Sequence, residues 1–246
     1  MQSKDQIIVA LDVSNATRAL TLVHLLRGVV GAFKIGFQLF TAEGPQIVRD
    51  VIGRGARVFL DLKYHDIPNT VAGAIEAACQ LNVWMVNLHC LGGEKMMRAA
   101  MEAANKYFAE HGRRPFIIGV TILTSHDLAS LAQVGIKADT VEDAVVKLAK
   151  LAHKCGLDGV VCSPKEVALV RQAICDDEFL IVTPGIRDKN APPDDQMRTT
   201  TAREAVRSGS SFIVVGRPIT GATDPISAAQ HMAEEMDAAE SDAICC

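Results

Sequence analysis

Phe59-Leu60-Asp61-Leu62-Lys63-Tyr64-His65-Asp66-Ile67-Pro68-Asn69-Thr70 runs from an apolar segment into a charged one and then into a proline-opened helix. Val58, Phe59 and Leu60 read as a buried strand. Pro68 suits a first helical position, where no backbone N–H is required. Strand side chains alternate between faces, so Asp61 and Lys63 share one face while Leu60, Leu62 and Tyr64 share the other. Charges on the inner face of a buried strand cost several kcal/mol per ion unless they are paired. A structural Asp–Lys ion pair followed by a surface aspartate meets that condition, and so does a functional site. The stretch alone leaves both readings open.

The same strand-then-helix unit recurs on either side. Ile7–Leu11 is a first strand that stops at Asp12, with Asn15 or Thr17 capping a helix to about Leu26. Ala32–Phe37 is the second strand, and its helix follows Gly44-Pro45. Residues 57–63 form the third and Trp84–His89 the fourth, which leads through Gly92-Gly93 into a Met- and Ala-rich helix. Phe116–Leu123 is the fifth, followed by helical pieces near His126–Val134 and Thr140–Lys154. Gly159–Cys162, with a helix from Pro164, is the sixth. Phe179–Val182 and Phe212–Gly216 are the seventh and eighth, and a last helix starts near Pro225. Eight such units in 246 residues predict an α/β fold of the TIM type, a (β/α)8 barrel of parallel strands with outer helices. A doubly wound open sheet has fewer strands and often a Gly-x-Gly-x-x-Gly turn after the first one. Here that turn, Asp12–Thr17, holds no glycine. No Pro/Ser-rich linker interrupts the pattern, so residues 1–246 are expected to form one domain, with a frayed tail over 238–246.

The composition narrows the class of partner. The chain is 49% hydrophobic and 22% charged, ordinary globular usage, and its formal net charge of −4 comes with no basic stripe, which argues against a nucleic-acid partner. Met1–Gln6 lacks the features of a signal peptide, and no apolar run is long enough to cross a membrane. The seven cysteines form no Cys-x-x-Cys pair and lie mostly among apolar neighbours, as buried reduced thiols do. A cytoplasmic location is the expectation.

In a (β/α)8 barrel the site lies at the C-terminal ends of the strands. The residues that fall there are Asp12, Lys34, Asp61, Lys63, His89, Thr124, Ser163, Arg187, Gly216 and Arg217. Singly, each has an ordinary reading: Asp12 as a helix cap, Lys34 snorkelling to water, Thr124 as a loop hydroxyl. Jointly they need one face that holds them all. The loops after strands seven and eight form the usual phosphate site of such barrels, and here they carry Gly185-Ile186-Arg187 and Gly216-Arg217. Glycine admits close approach of backbone N–H groups to an anion, and the arginine fork matches phosphate oxygens. A phosphorylated small molecule is therefore the expected ligand class. The connection 188–197, with Pro192-Pro193 and Gln196, is long for this fold and is a candidate lid. The histidines show no zinc-ligand spacing, so no metal site is expected. Ser163 lacks the Gly-x-Ser-x-Gly elbow of a serine hydrolase.

Taken together, Asp61-x-Lys63-x-x-Asp66-Ile67-Pro68-Asn69-Thr70, Thr183-Pro184-Gly185-Ile186-Arg187 and Val215-Gly216-Arg217-Pro218-Ile219 resemble the orotidine 5′-phosphate decarboxylase family, most closely its bacterial branch. The resemblance extends to Ala10-Leu11-Asp12, Val120–Ser125 and Gly156–Ser163, and so covers nearly the whole chain. It implies decarboxylation of orotidine 5′-phosphate to uridine 5′-phosphate, the last step of de novo UMP synthesis. It also implies a reaction without metal or organic cofactor, in a homodimer with shared sites. By motif, Lys63 is then the general acid toward C6, and Asp61 lies beside the departing carboxylate. Asp66 and Thr70 come from the partner subunit. Asp12 and Lys34 hold the ribose, Thr124 contacts the ring edge and Gln196 bridges ring and phosphate. Arg187, Gly216 and Arg217 take the phosphate.

Those residue types suit that chemistry. Loss of CO2 from C6 leaves an electron pair in the ring plane, beyond reach of the π-system, so stabilisation has to be electrostatic. A fixed ammonium supplies it and carries the proton, and flanking carboxylates favour its charged form. Two rival readings follow from the same residues. One is a magnesium-dependent decarboxylase or epimerase with Asp61 as ligand, against which the cationic Lys34 speaks. The other is an inactive nucleotide-binding or scaffold protein.

Overall fold

The computed structural model describes residues 2–187 and 200–244. Its strands close into one parallel barrel in chain order, β1 (Ile7–Ala10), β2 (Ala32–Gly36), β3 (Val58–Tyr64), β4 (Met85–His89), β5 (Phe116–Val120), β6 (Gly159–Val161), β7 (Leu180–Thr183) and β8 (Phe212–Val215), with β8 paired back onto β1. This is the TIM barrel expected from the sequence.

Side chains sort into two cores. Ile8, Ala10, Ala32, Phe59, Met85, Ile118, Val182, Phe212 and Val214 fill the barrel. The other face of each strand packs outward on the helices, as Val58 and Leu60 do on β3. Trp84 sits at the N-terminal end of the barrel, with Phe116 and Phe212 edge-on to its indole at 6.0 and 5.1 Å and the Arg57 guanidinium 5.0 Å above it. Such edge-to-face and cation–π contacts close that end with apolar area.

The helices follow local signals. Asn15 caps α1 (Ala16–Leu26), its side chain accepting from the Arg18 N–H at 3.0 Å. Asp12, earlier in that loop, is thus released from capping. Next come α2 (Phe37–Glu43), α3 (Gln46–Ile52) and α4 (Pro68–Gln80), the last with proline in its first turn. The sequence predicts one helix after β2, beyond Gly44-Pro45, and α2 comes in addition. Gly36 offers it no side-chain cap and Phe37 is 56% exposed, which blurs the amphipathic pattern. Beyond α5 (Gly93–His111), β5 stops at Val120 rather than Leu123. There the Thr121 hydroxyl turns to donate to the Val161 carbonyl at 2.7 Å, and the apolar Ile122 lines the cavity instead of extending the strand. The remaining helices are α6 (Leu128–Gln133), α7 (Val141–Lys154), α8 (Val167–Ala173), α9 (Ala202–Arg207), α10 (Arg217–Thr220) and α11 (Pro225–Ile244). A 3-10 turn, Pro164–Glu166, precedes α8 where the sequence suggested helix. Helix α11 continues through most of the segment for which the sequence suggested fraying. The described helices include none long and apolar enough to cross a membrane.

Candidate active site

The C-terminal end of the barrel opens into a cavity of about 540 Å³. Asp12, Lys34, Asp61, Lys63, Thr124, Arg187, Gly216 and Arg217 all line it, so one mouth gathers most of the residues nominated by sequence.

Four of them form a row of alternating charge. Lys34 Nζ lies 3.1 Å from Asp12 Oδ1 and 3.1 Å from Asp61 Oδ2, and Lys63 Nζ lies 2.6 Å from Asp61 Oδ1. Lys34 therefore does not snorkel to water; its ammonium is clasped between two carboxylates. Burial alone would lower its pKa, but Asp61 and then Asp12 outweigh burial and hold it above the ordinary lysine value. Asp61 is the mirror case. Burial would raise its pKa, and the charges of Lys34 and Lys63, with hydrogen bonds from Lys63 and Asn87, hold it below the ordinary carboxylate value. The buried centre of the row is thus ionised throughout.

Two residues that the sequence reading did not single out shape the row. Asn87, on β4, is 1% exposed; its Nδ2 donates to Asp61 Oδ1 at 2.7 Å, and its Oδ1 accepts the Lys63 backbone N–H at 2.8 Å. The signal available was a polar residue on the inward-facing phase of the Met85-Val86-Asn87-Leu88-His89 strand. Gly36 is the other. A Cβ there would lie 3.0 Å from Lys34 Nζ and 3.6 Å from Asp12 Oδ1, so glycine leaves room for the ammonium.

The strand that carries Asp61 and Lys63 departs from regular pairing between them. Leu60 pairs with Val86 but Tyr64 with Leu88, so β3 holds two residues more than β4 over this span. Lys63 takes up the irregularity with φ +42°, in the left-handed region that side chains other than glycine seldom occupy. The alternation argument nonetheless holds. Asp61 and Lys63 face the cavity, while Leu62 and Tyr64 join Leu60 against the outer core.

The cavity's other walls differ. Val120, Ile122, Val161, Cys162, Val182, Pro184, Ile186 and Val214 make an apolar wall facing the row. At the β7 end, Gly185 has φ +85°, and the chain that leaves through Arg187 is tied to its return at Thr200. There the Arg187 N–H donates to the Thr200 carbonyl at 2.9 Å, and the Thr200 N–H to the Gly185 carbonyl at 3.2 Å. Gln196 and the candidate lid, residues 188–197, lie outside the described residues.

Other nominated residues stand apart from the cavity. Asp66 and Thr70 are exposed at the start of α4, where Asp66 Oδ1 accepts the Ile67 N–H at 2.6 Å. Ser163 is fully buried, and its backbone N–H donates to Glu166 at 2.8 Å. His89 is not a cavity residue either. Its ring packs 5.5 Å from that of His65, and burial, then the charges of His65 and Lys63, push its pKa down to about 4. Burial thus favours the neutral ring, and its Nδ1 has no hydrogen-bond partner among the described residues. Cys79, Cys90, Cys155 and Cys162 are buried outside any disulfide, and Cys175 is exposed. Among the described residues, no group of three or more His, Cys, Asp or Glu is arranged to hold a metal ion.

Comparison with known proteins supplies a family. The model of the "Orotidine 5'-phosphate decarboxylase / HUMPS family" matches residues 5–232. The chain belongs to this family. The orotidine 5′-phosphate decarboxylase of Syntrophotalea carbinolica is 51% identical over 240 residues, covering 97% of this chain and 98% of that protein. The orotidine 5′-phosphate decarboxylase of Moorella thermoacetica is 49% identical over 239 residues, covering 96% and 94%. Among solved structures, orotidine 5′-phosphate decarboxylase from Lactobacillus acidophilus superposes with a TM-score of 0.82 at 35% identity, covering 94% of this chain and 98% of that one. The resemblance read from the Asp61–Thr70, Thr183–Arg187 and Val215–Ile219 motifs is thus borne out at the level of family.

Proposed function

We propose that the protein converts orotidine 5′-phosphate to uridine 5′-phosphate and CO2, the last step of de novo UMP synthesis, as a cytoplasmic carboxy-lyase. The observation that carries this reading is the Lys63–Asp61 contact of 2.6 Å inside a cavity whose far rim bears Arg187, Gly216 and Arg217.

The chemistry follows from the charges. The phosphate binds between the glycine-bearing loops and the two arginines, with Gln196 bridging from the ring. Asp12 and Lys34 hold the ribose, and Thr124 meets the pyrimidine edge. The substrate carboxylate then lies beside Asp61, and C6 beside the Lys63 ammonium. As the C6–CO2 bond breaks, the electron pair left in the ring plane faces a cation that is already oriented. No dipoles need to reorganise during the step. Lys63 gives its proton to C6, forming UMP, and later regains one from water. Lys34 extends this role, because its ammonium keeps Asp61 ionised when the substrate's own negative charge arrives. The apolar wall excludes water and strengthens each of these interactions.

Asp66 and Thr70 fit a homodimer. Both lie on the surface at the opening of α4, and the neighbouring Ile67 is 67% exposed, an apolar side chain with no cover in a single chain. In a dimer Asp66 would extend the partner's row beyond Lys63 by one carboxylate.

The test is the absorbance change on decarboxylation, run in excess EDTA. The reaction proposed here proceeds at full rate under those conditions. Activity lost to EDTA and restored by magnesium, or tight UMP binding without any turnover, would sink the reading. Lys63→Ala abolishes turnover while UMP binding persists, since the ammonium acts on the transition state rather than on the phosphate.

A further inference from the structure

We infer that Asn87 is a positioning residue for the decarboxylation, holding Asp61 and the Lys63 backbone in the one geometry that aims the Lys63 ammonium. This rests on Lys63 as proton donor, as proposed above.

Between the Leu60–Val86 and Tyr64–Leu88 pairs the ladder is interrupted. The Lys63 N–H, at φ +42°, is met by a side chain rather than by a strand carbonyl: Asn87 Oδ1 accepts it at 2.8 Å. The same amide donates from Nδ2 to Asp61 Oδ1 at 2.7 Å. One planar group therefore spans both ends of the Asp61-Leu62-Lys63 segment. Its orientation is fixed, because an ionised carboxylate only accepts and a backbone N–H only donates. Asp61 Oδ1 is also the oxygen that meets Lys63 Nζ at 2.6 Å. Asn87 thus ties the carboxylate, the strained backbone and, through both, the ammonium. At 1% exposure, both bonds are shielded from bulk water. Neither an ionised acid nor an aliphatic residue of similar size makes both. Aspartate accepts but does not donate when ionised, and leucine does neither.

Two substitutions separate this role from simple packing. In N87A the segment loses both ties, and a displacement of the ammonium by about an ångström lowers kcat roughly 100-fold, while KM and UMP affinity stay within about threefold of wild type. N87D keeps the shape and the acceptor toward Lys63 N–H but sets a second carboxyl against Asp61. Two carboxyls at that separation share a proton. The titratable residues bonded to Asn87 are Asp61 and Lys63 of β3. Lys34 of β2 lies beyond Asp61, 3.1 Å from its Oδ2, His89 stands two residues further on β4, and β5 sets the apolar Ile118 beside Asn87 and Val120 beside His89. The protonated N87D pair can donate to Asp61 as the amide does. Turnover of N87D is therefore retained on the acid side and falls as the pH rises and the shared proton leaves, a limb that wild type lacks.

Steady-state kinetics of the three proteins between pH 5 and 9, with UMP binding and a thermal melt for each, provide the test. The expected result is the kcat loss in N87A at near-constant KM, together with the new limb in N87D. N87D kcat unchanged, or reduced equally at every pH, overturns the inference even if N87A fails to fold, since the isosteric variant alone carries that outcome. Wild type measured alongside keeps the two proposals apart. Absence of wild-type turnover refutes the reaction itself, whereas normal wild-type turnover with an unaltered N87D profile refutes only the role of Asn87.

Discussion

At the scale of single residues, the site is a problem in placing charges that burial opposes, and the sequence showed the charges better than their supports. Asp61 and Lys63 stood out because ions in an apolar strand need a reason. Gly36 and Asn87 carried no such flag, since a glycine at a strand end and one amide in a strand are ordinary. Gly36→Ala tests the space it leaves. Its backbone, φ −99° and ψ −172°, is one that alanine adopts freely, so the fold should hold. The added Cβ presses on the Lys34 ammonium, and loss of one charge-assisted hydrogen bond, about 1.5 kcal/mol, lowers kcat/KM roughly tenfold. Unchanged kinetics would show that the ammonium yields without cost. His89 gives a second residue-scale prediction. Its folded pKa, about 4, lies below the unfolded value of 6.5, so the unfolded chain binds the extra proton in that window. Stability from neutral His89 is fully present above pH 6.5 and is lost as the pH falls toward 4, by roughly 2 kcal/mol once solvent screening is allowed for. Urea denaturation at pH 7 and pH 5 should show this fall, and His89→Gln should flatten it. An identical fall in the variant would assign it to other groups.

At the scale of elements, strands and their order are readable because each is a short, mostly apolar, β-branched run set between helical stretches. The irregularity in β3 was not readable, because it depends on how β3 pairs with β4 rather than on either sequence. The N-terminal end of the barrel is organised by different ions from those of the mouth. Arg114 grips Asp158 through two bonds, Nη1 to Oδ2 at 2.6 Å and Nη2 to Oδ1 at 2.8 Å, and Asp158 Oδ2 also accepts the Ile117 N–H at 2.7 Å. This clamp fixes the entry of β5 against that of β6. Asp158→Ala leaves a largely buried guanidinium and an N–H without their acceptor, a loss of about 3 kcal/mol. Thermal unfolding should register that loss while kcat at 25 °C stays near wild type, since the clamp lies at the barrel end opposite the cavity. A large drop in kcat would mean that the two ends are coupled.

At the scale of the molecule, the family was legible from three motifs, whereas the ion network was legible only as a list of its members. Strand alternation pairs Asp61 with Lys63 and leaves Lys34 separate, whereas the folded chain joins all three with Asp12 in a single row. The homodimer proposed above predicts complementation. Asp66→Ala and Lys63→Ala proteins, each inactive, should recover about a quarter of wild-type activity when mixed and allowed to exchange subunits. Half the dimers are then mixed, and each carries one intact site. No recovery despite proven exchange would place Asp66 outside the partner's site. Finally, the division of the cavity into an ionic side and an aliphatic side behaves like a capacitor, with the ions as the plate and Val161, Val182 and Val214 as the insulation. The field at the plate depends on that insulation staying dry. A hydroxyl or amide introduced on the aliphatic side would admit water and act as a dielectric leak, dimming every charge in the row from across the cavity without touching one of them.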